Sequence, residues 1–149
     1  MSSSERSHKG SPYAQELITH LQPYCTPRKT ERGEQLDFKV NGQGVCYLIL
    51  EGTVAVYRRN DNMMLSTARS PAVFGLANLT DIYFDDYIKT INPCLIGEIS
   101  TARVNDIIKE KSLWGLLSKQ LMFVYGRLYN NVMPQGAPTA YEMIRQQLL

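Results

Sequence analysis

The chain has 149 residues, 44% of them apolar, which suits one compact domain with appendages. Its 16 Lys and Arg against 14 Asp and Glu leave a formal charge of +2, and only Arg28-Lys29 and Arg58-Arg59 are adjacent, so the chain alone lacks the clustered charge that a nucleic-acid backbone requires. No apolar run approaches the roughly 18 residues of a membrane-spanning helix, and 3 cysteines without an export signal point to the cytoplasm and free thiols.

Residues 1–12 are Ser-rich and polar and read as a disordered tail. Over residues 13–24, Ala14, Leu17, Ile18 and Leu21 recur at helical spacing. Ser11-Pro12 supplies a start and Pro23 a stop, which predicts a short amphipathic helix. Cys25 to Arg28 read as a connector. Over residues 29–100 the texture changes to short β-prone pieces punctuated by Gly, Asn, Asp and Pro: Gln35–Val40, Val45–Leu50, Thr53–Arg59, Met63–Ala68, Tyr87–Ile91 and Cys94–Ile99. Evenly spaced short strands predict an antiparallel sandwich or roll, and no segment is long enough for a parallel crossover helix. Val45–Leu50 and Thr53–Arg59, on either side of Glu51-Gly52, predict a hairpin.

Helices follow over residues 101–133. Ser100 or Thr101 caps one that carries Val104, Ile107 and Ile108. Ser112 is placed to cap a longer one through Trp114, Leu117, Leu121, Val124 and Leu128, whose 3-4-3-4 spacing predicts a seam against a partner helix. Met122, Phe123, Tyr125 and Tyr129 widen its apolar arc, so the helix has both its own roll and a partner to cover. Residues 134–149 read as a Pro-Gly hinge, Pro134 to Pro138, and the start of another helix carrying Tyr141, Ile144 and Leu148.

Tyr47-Leu48-Ile49-Leu50-Glu51-Gly52-Thr53-Val54-Ala55-Val56-Tyr57 resembles the central hairpin of the cyclic-nucleotide-binding β-rolls of Crp/Fnr-type transcription regulators. Arg32-Gly33-Glu34, Gly97-Glu98-Ile99-Ser100 and the long helix over residues 114–132 match the same family in order and spacing. The resemblance covers residue 31 to the C-terminus. It implies a mainly β fold with flanking helices: an antiparallel β-roll of the double-stranded β-helix or jelly-roll kind, then a long dimerisation helix. It further implies that residues 13–133 are a sensor domain, that residues 134–149 lead into a winged helix-turn-helix lying outside this chain, and that the partners are DNA through that module and a second copy through the long helix.

The family's phosphate turn has Gly-Glu-Leu and, further on, Arg with Ser or Thr. Here Gly75 is kept, Leu76 stands for the Glu, and Phe84 and Asp85 stand for the Arg and Ser. With Asp81 and Asp86 nearby, cyclic-nucleotide binding is not expected. Gly75, Leu76, Ala77, Tyr83, Phe84 and Asp85 either fill the old pocket with apolar core or line one for a small apolar ligand. The altered turn looks most like the regulator group called inhibitor of hydrogen peroxide resistance (IprA), which implies a role in oxidative-stress response. The alternative is a stand-alone β-roll module for a small apolar ligand.

The two histidines, His8 and His20, lie outside the β region. A His-ligated metal inside the roll is therefore not expected, nor a base for a Ser or Cys nucleophile, so neither enzyme activity nor a cofactor is expected. Cys46 and Cys94 open strands and read as inert core. Cys25, near Arg28 and Lys29, is the redox candidate, with inert packing as the other reading.

Overall fold

The structure, a computed structural model, describes residues 11–80 and 85–132. The expected tail over residues 1–10, Tyr83, Phe84 and the expected hinge over residues 134–149 lie outside the described residues, as does the side chain of Leu128.

The first helix, α1, is Pro12–Leu21; Ser11 and Pro12, assigned above to the tail, are its cap and first residue. Ser11 Oγ accepts from the backbone N–H groups of Tyr13 and Ala14, satisfying two donors that the first turn leaves open. Ala14, Leu17, Ile18 and Leu21 are all buried, as their spacing predicts. A 3₁₀ turn, Gln22–Tyr24, leads into nine strands: β1 Thr26–Lys29, β2 Gln35–Asp37, β3 Lys39–Val40, β4 Gln43–Glu51, β5 Thr53–Arg58, β6 Met63–Arg69, β7 Ala72–Phe74, β8 Asp86–Thr90 and β9 Leu95–Ser100. Two helices follow, α2 Thr101–Lys111 and α3 Trp114–Val132.

The strands form two antiparallel sheets. One has the order β1-β9-β4-β3, with β7 also on β4; the other has the order β2-β8-β5-β6. β4 is the pivot. Cys46 and Leu48 face a core shared with α1 and α2, while Tyr47 and Ile49 face a core shared with the second sheet. Burial on both faces explains why the run reads as continuously apolar rather than alternating.

The expected hairpin around Glu51-Gly52 does not form. β4 pairs with β3, β7 and β9, whereas β5 pairs with β6 and β8. Gly52, at φ +107°, is the corner at which the chain leaves one sheet for the other. A Cβ there would lie 2.5 Å from Cys94 Sγ and 3.1 Å from Cys94 Cα, so the corner needs glycine for both conformation and space. The real hairpin is β5–β6, closed by residues 59–62, with a register shift at Val56/Tyr57.

Residues 26–28, read as a connector, instead lie in edge strand β1, with Thr26 opposite Glu98 and Lys29 opposite Leu95. All four β1 residues are exposed, so no hydrophobic alternation marks them. Ser100 Oγ accepts from Arg103 N and caps α2 as expected. Ser112 does not cap α3. It sits at φ +54° and closes α2, its N–H donating to Ile108 and Lys109 carbonyls.

Candidate functional site

Gly75 opens the turn that the sequence resemblance matches to a phosphate site. It adopts φ +95° and precedes a 3₁₀ turn, Leu76–Leu79. The turn is pressed onto β4: a Cβ at Gly75 would stand 2.5 Å from Val45 O and 3.0 Å from Cys46 Cα. Leu76 is buried in the core formed with α1 and α2. Ala77 is half-buried beside it. Asn78, which no motif singles out, pins the turn by donating from Nδ2 to Phe38 O at 3.0 Å.

Asp85 is not left as a repelling charge. Arg59 Nε lies 2.9 Å from Asp85 Oδ1, and Arg59 Nη2 lies 2.8 Å from Asp37 Oδ1. The same guanidinium sits over the Tyr87 ring, 5.1 Å from its centre, and Tyr87 stacks on Tyr57. Arg59 holds the Asp37 carboxyl below its usual range, chiefly through the hydrogen bond between them. Burial, then the neighbouring Asp85 charge, pushes Asp86 up. Arg59 thus ties the β5–β6 hairpin to the strand before and the loop after. Among the described residues no group of three or more His, Cys, Asp or Glu is placed to hold a metal.

The three thiols are free and dispersed. Cys25 is half-buried; its Sγ donates to Gln22 O at 3.2 Å and stands where a Gly97 Cβ would be. Arg28, expected to activate it, instead pairs with Glu34 at 2.6 Å and Glu98 at 2.8 Å. Burial raises the Cys25 pKa, the opposite of what a sensing thiolate needs. Burial also pushes Cys46 up to about 11 and raises Cys94. Timed alkylation of the native protein at neutral pH should therefore label Cys25 first but slowly, and Cys46 and Cys94 only on unfolding. Labelling of Cys25 at the rate of a low-pKa thiolate would overturn this account of its surroundings.

The expected seam on α3 divides. Leu117 is 5% exposed and belongs to the chain's own core, so it is not available to a partner. Trp114 at 47%, Leu121 at 43%, Met122 at 67% and Tyr125 at 55% are exposed on the flank beside it. Tyr125 also stacks on Tyr129, with ring centres 6.1 Å apart. Val124 lies between the two faces and is half-buried. Leu117 and Leu121, four apart, differ by only about 40° around the helix at about 100° per residue. The 3-4-3-4 row therefore runs along the boundary of the buried face, with Leu117 on its inner side and Trp114 and Leu121 on its outer side.

Sequence reasoning also missed a cavity between α3 and the β6–β7 segment. Its β side carries Ser66, Thr67, Ala68, Arg69 and Pro71 to Phe74; its helix side carries Gln120, Phe123, Val124 and Arg127, with Ser11 at one end. About 60 Å³ is open within it, room for about four to six water molecules. Gln120, three residues after Leu117 and four before Val124, is a polar residue on the inward stripe, and that was the one sign of it in the sequence. It is 2% exposed, and Ser11 Oγ donates to its Oε1 at 2.7 Å.

No protein-family model matches the chain, and no curated protein matches it. Solved structures do. The c-di-GMP-responsive global regulator CLP of Xanthomonas campestris aligns at TM-score 0.62 and 18% identity over 76% of this chain and 59% of its own. A CooA mutant from Carboxydothermus hydrogenoformans aligns at TM-score 0.65 and 12% identity over 95% of this chain and 99% of its own. The fold is the cyclic-nucleotide-binding β-roll. The regulatory protein PfPKA-R, bound to cAMP, shares it at TM-score 0.57 and 16% identity, over 82% of this chain and 46% of that one. This chain thus spans about six-tenths of CLP and less than half of PfPKA-R. The β-roll with flanking helices expected from the resemblance is the architecture found. None of the described helices is long and apolar enough to cross a membrane.

Proposed function

We propose that this chain is the sensor and dimerisation region of a cytoplasmic Crp/Fnr-type transcription regulator that has lost cyclic-nucleotide binding. The observation that carries this reading is Leu76. It follows the left-handed Gly75 of the turn, where the family places a ribose-binding carboxylate, and its side chain lies in the hydrophobic core. No carboxylate stands at that position to reach a ribose hydroxyl.

The outward apolar stripe of α3 fits a homodimer, each helix lying against its copy across a two-fold axis. DNA contact belongs to a winged helix-turn-helix beyond residue 149, which residues 134–149 would lead into. The likeness to inhibitors of hydrogen peroxide resistance suggests oxidative stress as the setting. The thiol chemistry gives no support for direct peroxide sensing, so such a role would lie in which genes are controlled.

Calorimetric titration with cyclic AMP and cyclic GMP should show no saturable heat, because the charge-assisted pairs that anchor a buried phosphate are missing. A micromolar dissociation constant for either nucleotide would end this reading of the turn. The second reading, a β-roll module for a small ligand with no DNA role, is favoured by one observation, the cavity against α3. Helix-turn-helix sequence following residue 149 in the gene would decide against it.

A further inference from the structure

We propose that Asn41, together with Gly42, is a self-modification site: in the folded protein Asn41 converts to aspartate and isoaspartate, and the isoaspartate form unseats the Leu76–Leu79 turn from the β3–β4 hairpin. Asn41 is the only Asn in the chain that is followed by Gly. The pair closes that hairpin, with Val40 opposite Gln43, Asn41 at φ +53° and Gly42 at φ +78°. Both residues are exposed.

Three observations make the reaction available. The Asn41 side chain makes no hydrogen bond among the described residues. By contrast, Asn62 Oδ1 accepts from Tyr87 Oη, Asn78 Nδ2 donates to Phe38 O, and Asn92 Oδ1 accepts from Thr53 N. Nothing lies within 4 Å of the place a Gly42 Cβ would take, so the Gly42 nitrogen is open to approach. Turning Asn41 so that this nitrogen meets its Cγ opens only β3, two exposed residues, and no core.

The Gly42 backbone nitrogen gives its proton to hydroxide and attacks Asn41 Cγ. The Cγ–Nδ2 bond breaks, and ammonia leaves with a proton from water. Water then opens the five-membered succinimide. Cleavage at Cγ leaves aspartate; cleavage at the main-chain carbonyl leaves isoaspartate, in which the chain runs through Cβ and Cγ. One water enters, one ammonia departs, and nothing is oxidised or reduced.

Isoaspartate adds one backbone carbon to a two-residue turn, so the turn no longer matches the pairing of Val40 with Gln43. The base of the same hairpin holds the Leu76–Leu79 turn. Phe38 O accepts from Val45 N at 2.9 Å and from Asn78 Nδ2 at 3.0 Å, and Asn78 Nδ2 stands 3.2 Å from where a Gly44 Cβ would be. A loosened β3 withdraws Phe38 O from Asn78. Neither the reaction nor this coupling rests on the regulator reading.

The test is peptide mapping by mass spectrometry of the native chain aged at neutral and mildly alkaline pH, with isoaspartate tagged by an isoaspartyl methyltransferase, beside the same chain aged in urea. Asn41 should convert before every other Asn, to both products, and faster at the higher pH. The native rate should stay within about tenfold of the unfolded one, an opening of β3 that costs no more than about 1.4 kcal/mol. Earlier conversion of another Asn, or a native rate more than about tenfold below the unfolded one, overturns the proposal, because the turn would then protect Asn41. The coupling is read from the Asn78 side-chain amide pair of ¹⁵N-labelled protein. That pair should shift in step with isoaspartate and stay in place in Asn41→Asp, which carries the charge without the extra carbon. An aged protein rich in isoaspartate whose Asn78 pair is unmoved overturns the unseating of the turn.

Discussion

Leu121→Glu is expected to turn a dimer into a monomer at micromolar concentration while leaving the fold of the roll intact. Leu121 is 43% exposed and sits between Trp114 and Tyr125 on the outward stripe. From Trp114 to Tyr125 the stripe runs about 16 Å along the helix, at about 1.5 Å per residue. Across a two-fold axis each residue meets its own copy or a near neighbour, so one substitution places two like charges in the seam. An unpaired charge in a buried interface costs about 3–5 kcal/mol, or roughly two to three and a half decades of affinity at about 1.4 kcal/mol per decade. Leu117→Ala is the control. Leu117 is buried within the chain, so truncating it should cost about 2–5 kcal/mol of folding stability without acting directly on the seam. Sedimentation and thermal unfolding of both variants separate the effects. A monomeric wild type, or a Leu121→Glu protein that stays dimeric, would remove the outward stripe from the proposed interface.

The second large effect is at Gly75. Gly75→Ala should destabilise the roll far more than Gly33→Ala, although both glycines have positive φ, +95° and +80°. At Gly33 nothing lies within 4 Å of the added methyl. The cost there is the backbone term alone, about 1–3 kcal/mol. At Gly75 the methyl would meet the β4 backbone, Val45 O at 2.5 Å and Cys46 Cα at 3.0 Å. These atoms cannot turn aside as a side chain can. The turn must lift off β4, adding an overpacking cost of about 1–3 kcal/mol and giving about 2–6 kcal/mol in all. Chemical denaturation of the two variants measures the difference. Equal losses would mean that the turn is not seated on β4 as described.

The fold class was legible because punctuation and strand length are local properties. All six β-prone runs hold strand, although Gln35–Val40 divides into β2 and β3. What was not legible depends on partners remote in sequence. A Glu-Gly break looks the same whether the chain folds back on itself or crosses to a second sheet, so the β4–β5 hairpin was read where there is a corner. Thr26-Pro27-Arg28-Lys29 has no apolar residue to bury and is a strand only because β9 offers it an edge. β7 has three residues after Ser70-Pro71 and is too short to stand out. The resemblance marked Leu76 as standing where a carboxylate was expected, but that Leu76 joins the helix-side core required the structure. The cavity was least legible, since Arg69, Gln120 and Arg127 lie on segments some fifty residues apart and nothing local links them.

β4 has a consequence for how the protein comes apart. Its side chains at 46 and 48 belong to one core and those at 47 and 49 to the other, so the strand is a single wall common to both. Neither core can be exposed to water without stripping one face of β4, and a strand bare on one face loses the packing that holds its ladders to β7 and β9. The two sheets therefore have no route to melt in turn. The roll opens as one cooperative unit, and the amides of β4 are released only at the full free energy of unfolding.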